Sequence, residues 1–382
     1  MAELEKWVWL SLASGAGSQK SHRLLSYFGT ANAVYSAGRE EYIRILETRN
    51  PRSIAKLCEK SLDEAEKIVI TCRKKGIRII TRESSEYPPQ LLNISNPPCV
   101  LYARGAELDA GGVSIAIVGT RNATDAGKAS AEKLGGELAS YGATVVTGLA
   151  KGIDSSAARG ALDAGGKVIA VFGCGVDICY PRENKSLLEK VIKNGTVISE
   201  YAPGVGPSRS TFPIRNRLIS GISRGTVLIE APEKSGALIT ASHALEQNRD
   251  VFVVPSGILD GAGAGSNRLL RDGAIPVMSG RDVLSEYEGV LGGSIDLERK
   301  VRVPEKTVEK KEESLPEGYL EKFSSDDRKI IATIGMSELR ADDIARQCGM
   351  KMQKVLSLLT LLEIRGCVKQ LPGGRFTVNI KK

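Results

Sequence analysis

The sequence predicts an α/β protein: an extended Rossmann-like parallel sheet, with a small helical N-terminal domain and a C-terminal winged helix. Three observations lead there. From Val113 onward, glycine-punctuated apolar runs of strand length follow one another: VSIAIVG, ATVVTG, KVIAVFG, GTVIS, GTVLIE and DVFVVPS. Amphipathic stretches such as TDAGKASAEKLGGELASYG and DSSAARGALDAGG lie between them. Continuous Val/Ile runs that alternate with helices are the pattern of parallel strands buried on both faces. Finally, the chain ends in three helical patterns, SSDDRKIIATI, ADDIARQCG and KMQKVLSLLTLLEIRG, followed by the hairpin CVKQLPGGRFTVNI. That order is the order of a winged helix-turn-helix.

In chain order, residues 1–105 carry helical periodicity broken by small-residue turns at Ser14–Gly17 and Phe28–Thr30. Gly15-Ala16-Gly17 precedes a helix bearing Lys20, His22 and Arg23. Two readings stay open there. The turn belongs either to a helix-hairpin-helix, whose amides hold a DNA phosphate, or to a plain packing module of the sterile-alpha-motif type. Proline-rich EYPPQLLNISNPPCVLYARG then marks a boundary, with CVLYARG as a short strand. Residues 106–288 form the Rossmann-like domain. Residues 289–318 are densely charged, lack apolar periodicity and read as a linker. Residues 319–382 form the winged helix, whose second and third helices meet at Gly349. Its recognition helix, Lys351–Arg365, is basic only at its ends. This suits a partner-docking or weak DNA-binding module better than a sequence-specific reader.

Composition narrows the function classes. With 382 residues and 42% hydrophobic content, the chain can bury substantial cores. Its net charge of +8 favours an anionic partner. Seven scattered cysteines without a CxxC pair fit neither a disulfide framework nor a zinc site, so no metal is expected. No stretch approaches the roughly 20 apolar residues of a membrane helix, and MAELEKWVWLSLASGAG does not read as a signal peptide. A cytoplasmic protein is expected, with no membrane partner. The only two histidines, His22 and His243, fall in helical patterns without a nucleophile beside them. No catalytic residue is therefore assigned.

The chemistry gathers where strands end, which is where ligands bind in parallel sheets. The first such turn, Gly119-Thr120-Arg121-Asn122-Ala123-Thr124, lacks the GxGxxG of a dinucleotide site, and no GxxxxGK[ST] occurs. No cofactor is expected. What remains is a helix N-terminus capped by Thr124, with Arg121 over it. Arg121 by itself is read equally as an anion contact or as a partner for an acid. Later strand ends add Lys151-Gly152, then Tyr180-Pro181-Arg182-Glu183-Asn184 and Phe212-Pro213-Ile214-Arg215-Asn216-Arg217. Between Tyr201 and Ile229 no acidic residue occurs, whereas Arg209, Arg215, Arg217 and Arg224 do. A solvated face mixes signs, so this run reads as an electropositive groove, with Phe212 or Tyr180 offered for stacking. Ser235-Gly236, Thr240 and Asn267 open two further helices at the same end of the sheet. Glu230 is read as fixing a site arginine, and Asp154 as an N-cap. An oligonucleotide and a small phosphorylated ligand both fit these residues, and the long acid-free run favours the longer polyanion.

GTRNAT, TGLAKGID, FGCGVDICYPREN, ISEY, FPIRNRLISGIS, SGALITA, DVFVVPSG and GSNRLLRDGA, in that order, closely resemble the DNA-processing protein A (DprA/Smf) family. The resemblance spans the whole α/β domain. It implies an extended Rossmann fold that binds single-stranded DNA without sequence preference, forms a homodimer and loads the RecA recombinase during natural transformation. It further implies that Arg121, Lys151, Arg182, Arg215 and Arg217 contact DNA. Thr120 stands where many members carry serine, and Ala237 stands where serine is common. The alternative from the residues is a Rossmann-type nucleotide phosphoribohydrolase with Glu230 as its acid or base. The PGGxGTxxE signature of that group is not found, since the PGG at 372–374 falls in the C-terminal hairpin.

Overall fold

A computed structural model describes residues 2–48, 50–109, 111–259, 261–288, 295–298, 323–335, 339–371 and 374–379. The expected charged linker, 289–318, lies outside the described residues except for 295–298, as do Pro372 and Gly373 of the C-terminal hairpin. The chain divides into two compact units, Met1–Pro304 and Glu305–Lys382.

The first unit begins with six helices: α1 (Ala2–Ser14), α2 (Lys20–Phe28), α3 (Ala31–Ser36), α4 (Arg39–Leu46), α5 (Pro51–Cys58) and α6 (Asp63–Lys75). Their apolar faces meet on Trp7, Leu10, Leu24, Val34, Tyr42 and Leu57, all buried. At one corner the Lys60 ammonium lies over three rings, Trp9, Tyr35 and Tyr42, at 4.8–5.3 Å from their centroids. The amide of Gly17 in the α1–α2 turn is already taken. Gly17 donates its N–H to the Glu200 carboxylate at 3.1 Å, and its carbonyl accepts from Asn96 Nδ2 at 2.7 Å. Through Gly17 this turn docks the helices onto the sheet domain. His22, on α2, meets Arg82 at 3.3 Å.

All the expected strands form. The sheet comprises β1 (Arg78–Thr81), β2 (Val100–Gly105), β3 (Ser114–Gly119), β4 (Thr144–Thr147), β5 (Val168–Phe172), β6 (Thr196–Ser199), β7 (Gly225–Ile229), β8 (Asp250–Val253) and β9 (Ile275–Pro276). Their order is β1-β2-β6-β5-β4-β3-β7-β8-β9, parallel from β6 to β9. β2 pairs antiparallel with both β1 and β6. Residues 78–105, read from the sequence as the end of the helical domain, thus supply two strands of the main sheet. The chain steps outward from β3 to β6 and then returns to β3's other side with β7. That reversal creates a crevice at the carboxyl ends.

Helices α7 (Asp125–Ser140), α8 (Ile153–Asp163), α9 (Lys185–Asn194), α10 (Thr211–Ile222), α11 (Gly236–Glu246), α12 (Ala264–Arg271) and α13 (Gly280–Ser285) accompany the strands. One apolar layer centres on Ile115, Ile117, Val145 and Ala157, and the other on Ala116, Val118, Leu218 and Ala241. α7 and α8 pack backbone to backbone, because Gly135 faces the Ala157 carbonyl and Gly160 faces the Glu132 carbonyl.

The second unit is the expected winged helix. α14 (Ser325–Ile334), α15 (Ala341–Cys348) and α16 (Met352–Ile364) pack on a small sheet of order β10 (Leu339–Arg340), β12 (Arg375–Val378), β11 (Val368–Leu371). Gly349, at φ +63°, ends α15 in the left-handed region. Met352, Leu356, Leu361 and Ile364 of α16 are exposed, which keeps the recognition helix apolar on its outer face.

A glycine-to-alanine change inside a helix normally stabilises by roughly 1 kcal/mol. Gly160→Ala should do the reverse, because the new methyl would overlap the Glu132 carbonyl on the facing helix. We expect a loss of about 1–3 kcal/mol, read as a lower urea midpoint at unchanged m value.

Candidate nucleic-acid interface

The site starts from two turns pressed together at adjacent strand ends. Gly119, at the tip of β3, lies so close to the Ile229 carbonyl and Ile153 that a side chain has no room. Thr120 donates its N–H to the Glu230 carbonyl at 2.8 Å. Gly152 sits at φ +78° with its Cα against the carbonyls of Thr120 and Arg121, so both conformation and contact demand glycine there. With the backbones packed this tightly, the Arg121 side chain projects outward and is exposed.

Thr124 caps α7, its hydroxyl accepting from Gly127 N–H at 3.0 Å. The Glu230 carboxylate accepts from Thr124 N–H at 2.9 Å and from the Thr124 hydroxyl. Glu230 therefore secures the first turn of α7, and the sequence reading that it fixes an arginine is corrected. Asp154 is corrected as well. It does not cap α8 but turns back to accept from Gly148 N–H at 3.0 Å and Ala150 N–H at 3.4 Å. Close by, the Arg215 guanidinium donates to the carbonyls of Gly148, at 3.1 Å, and Val171. Burial pushes the Asp154 carboxyl up and pulls Arg215 down to about 10, while each charge favours the other's ionised form. Arg215 is only 5% exposed, yet it remains a cation at neutral pH.

Above this floor the rings of Tyr180 and Phe212 stack, with centroids 5.4 Å apart and planes inclined by 28°. The guanidinium of Arg121 lies 5.3 Å from the Phe212 centroid and that of Arg215 lies 5.8 Å from it. They border a cavity of about 170 Å³ that Lys151, Phe172 and Cys174 also line. It adjoins a groove of about 680 Å³ running past Arg209, Pro213, Lys234, Gly236 and Thr240. The charged residues along that groove are Arg121, Arg209, Arg215 and Lys234, against the single carboxylate of Asp154.

The structure thus brings together Gly119, Thr120, Arg121, Lys151, Phe212, Arg215, Asn216, Gly236 and Thr240. Asn216 links two walls, accepting from Arg215 Nε at 3.3 Å and donating to the Gly236 carbonyl at 3.3 Å. Lys151 is paired with Glu183 at 2.6 Å. Arg182 is exposed next to that pair but lines neither the cavity nor the groove. Asn184 props the turn from outside, donating to the Leu149 carbonyl at 2.9 Å where Leu149 has φ +51°. Two expected site residues lie elsewhere. Arg217 is 3% exposed and paired with Glu200 on the far face of α10. Asn267 clamps Ser256, accepting its N–H at 3.1 Å and donating to its carbonyl at 2.9 Å. Lys234 went unnoticed in the sequence because Glu233 beside it makes the loop look like mixed surface.

Two family descriptions match the chain: DNA recombination-mediator protein A over residues 78–288, and the DprA winged helix domain over 311–374. The first begins where β1 begins. Protein Smf of Synechocystis is 31% identical over 98% of this chain and 99% of its own length. The chain belongs to the DprA/Smf family. DNA processing protein DprA of Streptococcus pneumoniae is 43% identical across 53% of this chain and 71% of the relative. The X-ray structure of that pneumococcal protein matches with a TM-score of 0.65 at 35% identity, covering 74% of this chain and 98% of the other. DprA of Helicobacter pylori, solved to describe its single-stranded DNA binding mode, matches with a TM-score of 0.50 at 28% identity. That match covers 55% of this chain and 94% of the other.

Two arginines that look alike in this family's motifs should behave differently on unfolding. Arg215→Ala strands the Asp154 carboxylate and two strand-end carbonyls in the interior, at a cost of about 3–5 kcal/mol. Arg121→Ala removes an exposed side chain and should stay within about 0.5 kcal/mol of the parent. Urea unfolding of both variants checks this.

Proposed function

We propose that the groove holds single-stranded DNA without reading its sequence. In this reading the chain works in the cytoplasm as a homodimer and delivers the strand to the RecA recombinase during natural transformation and recombination. The observation that carries the DNA reading is the stacked Tyr180–Phe212 pair, bordered by two guanidiniums, at the end of a groove lined with basic side chains. Rings take up unpaired bases of any identity, and arginines take up the phosphates between them. In duplex DNA the base faces are stacked and hidden from such rings. The Helicobacter relative's single-stranded DNA binding supports the same ligand. The position of Glu230 supports a non-catalytic role. The acid that a phosphoribohydrolase reading needs is already occupied by the Thr124 amide and hydroxyl.

Binding of a labelled oligothymidylate, followed by fluorescence anisotropy, tests the reading. Arg121→Ala should weaken binding of every sequence alike and make the log–log salt slope shallower by roughly 0.7, one phosphate contact. Phe212→Ala should weaken it by about 1–3 kcal/mol, the contribution of one stacked base. Salt-insensitive binding, or indifference to both changes, overturns the groove assignment. Faster RecA assembly on the same oligonucleotide in the chain's presence tests the delivery step.

A further inference from the structure

α10 carries the groove on one side and the helical N-terminal region on the other. Phe212, Arg215 and Asn216, spaced i, i+3 and i+4, face the crevice. Ile214, Arg217 and Gly221 lie on the opposite face. Gly17 of the α1–α2 turn abuts that face so closely that an added Cβ would come within 2.6 Å of the Ile214 methyl. Farther along, Gly221 receives Leu91 and Ile94, each within 3.0 Å of where a Cβ would stand. Between these contacts lies a buried polar knot. The Glu200 carboxylate, 9% exposed, pairs with Arg217 and accepts the Gly17 N–H at 3.1 Å. Asn96 holds the Gly17 carbonyl at 2.7 Å, and Gln247 holds the Arg217 carbonyl at 2.9 Å. Glu200 directly follows β6, so the Glu200–Arg217 pair joins the strand end to α10 across the 201–210 connection.

We propose that Gly17, Glu200 and Arg217 are positioning residues for the groove: without touching its contents, they fix the rotation of α10 and hence the placement of Phe212 and Arg215. A helix held by apolar packing alone can roll by a fraction of a turn at little cost. A directional carboxylate bridging a main-chain amide and a guanidinium allows one rotation only. Arg215 and Arg217 are two residues apart and so point to opposite sides, and any roll that releases the second displaces the first. The N-terminal helices, through Gly17, thereby act on the geometry of the single-strand groove. This inference rests on the DNA reading given above.

The test uses the full chain, an oligothymidylate probe and a double-mutant cycle. Glu200→Gln should weaken binding by about five-fold or more, equivalent to ~1 kcal/mol, at unchanged stoichiometry. Its salt slope should change by less than the roughly 0.7 of one lost phosphate contact, because Arg121, Arg209 and Lys234 stay in place. In a Phe212→Ala background the same change should cost clearly less than in the parent, since only the share carried through Arg215 is left to lose. A merely structural role would leave the folded protein's affinity unchanged or add the same loss in both backgrounds, and either result overturns the inference. Thermal melting confirms that the variants are folded at the assay temperature. If Glu200→Gln is not folded there, Arg217→Lys, which keeps the charge but moves it off the Nη2 position that meets Glu200, is read in the same way. Failure of the parent chain to bind the probe would overturn the DNA reading itself. Parent binding that Arg121→Ala weakens, with Glu200→Gln and Arg217→Lys at parental affinity, would overturn the positioning role alone.

Discussion

Arg215 is a guanidinium taken almost wholly out of water, and its surroundings keep it charged. An unpaired cation at that depth would cost several kcal/mol. Two strand-end carbonyls and the Asp154 carboxylate offset the cost, and the carboxylate in turn takes the amides of Gly148 and Ala150. The β4 turn, the end of β5 and α10 are thus tied through one side chain. Its charge also lies beneath the Phe212 ring, where low dielectric leaves it poorly screened. Holding the crevice together and making its floor positive are therefore the same interaction.

Much of this was legible in the sequence, and the legible parts share a cause. Strand runs such as KVIAVFG announce themselves because parallel strands need apolar side chains on both faces. The turn glycines at 119 and 152 are readable because the backbone positions they occupy leave no space for a Cβ. Thr124 is readable because capping is local. Roles set by three-dimensional neighbours were not. Arg217 looks identical to Arg215 in the string FPIRNR, yet helical geometry sends it to the opposite face, where Glu200 waits. Glu230 looked like a partner for arginine, but its left-handed backbone, φ +50°, goes with a carboxylate directed at the α7 terminus. The strand at 100–105 was legible in CVLYARG, but its place in the main sheet was not, because β2 pairs with β6 nearly a hundred residues on. The strand at 78–81, which joins through β2, was absorbed into the helical region.

The acid-free stretch from 201 to 229 shows how a correct inference can rest on a partly mistaken reason. Its arginines were read together as lining a groove. Arg217 is instead interior, held by a carboxylate one residue before the stretch begins, and Arg215 is interior too, although it borders the cavity. The positive character of the groove comes from Arg121, Arg209 and Lys234, on three different connections, together with Arg215 from beneath. A single small phosphate would need these cations to converge on one point. Arg121 and Arg215 flank the Phe212 ring, while Arg209 and Lys234 line the adjoining groove, which reaches the first turn of α11. Cations carried on separate connections, with flat apolar rings among them, match a ligand that repeats its phosphates and carries bases between them. On this geometry a polymer is favoured over a mononucleotide independently of any relative's activity.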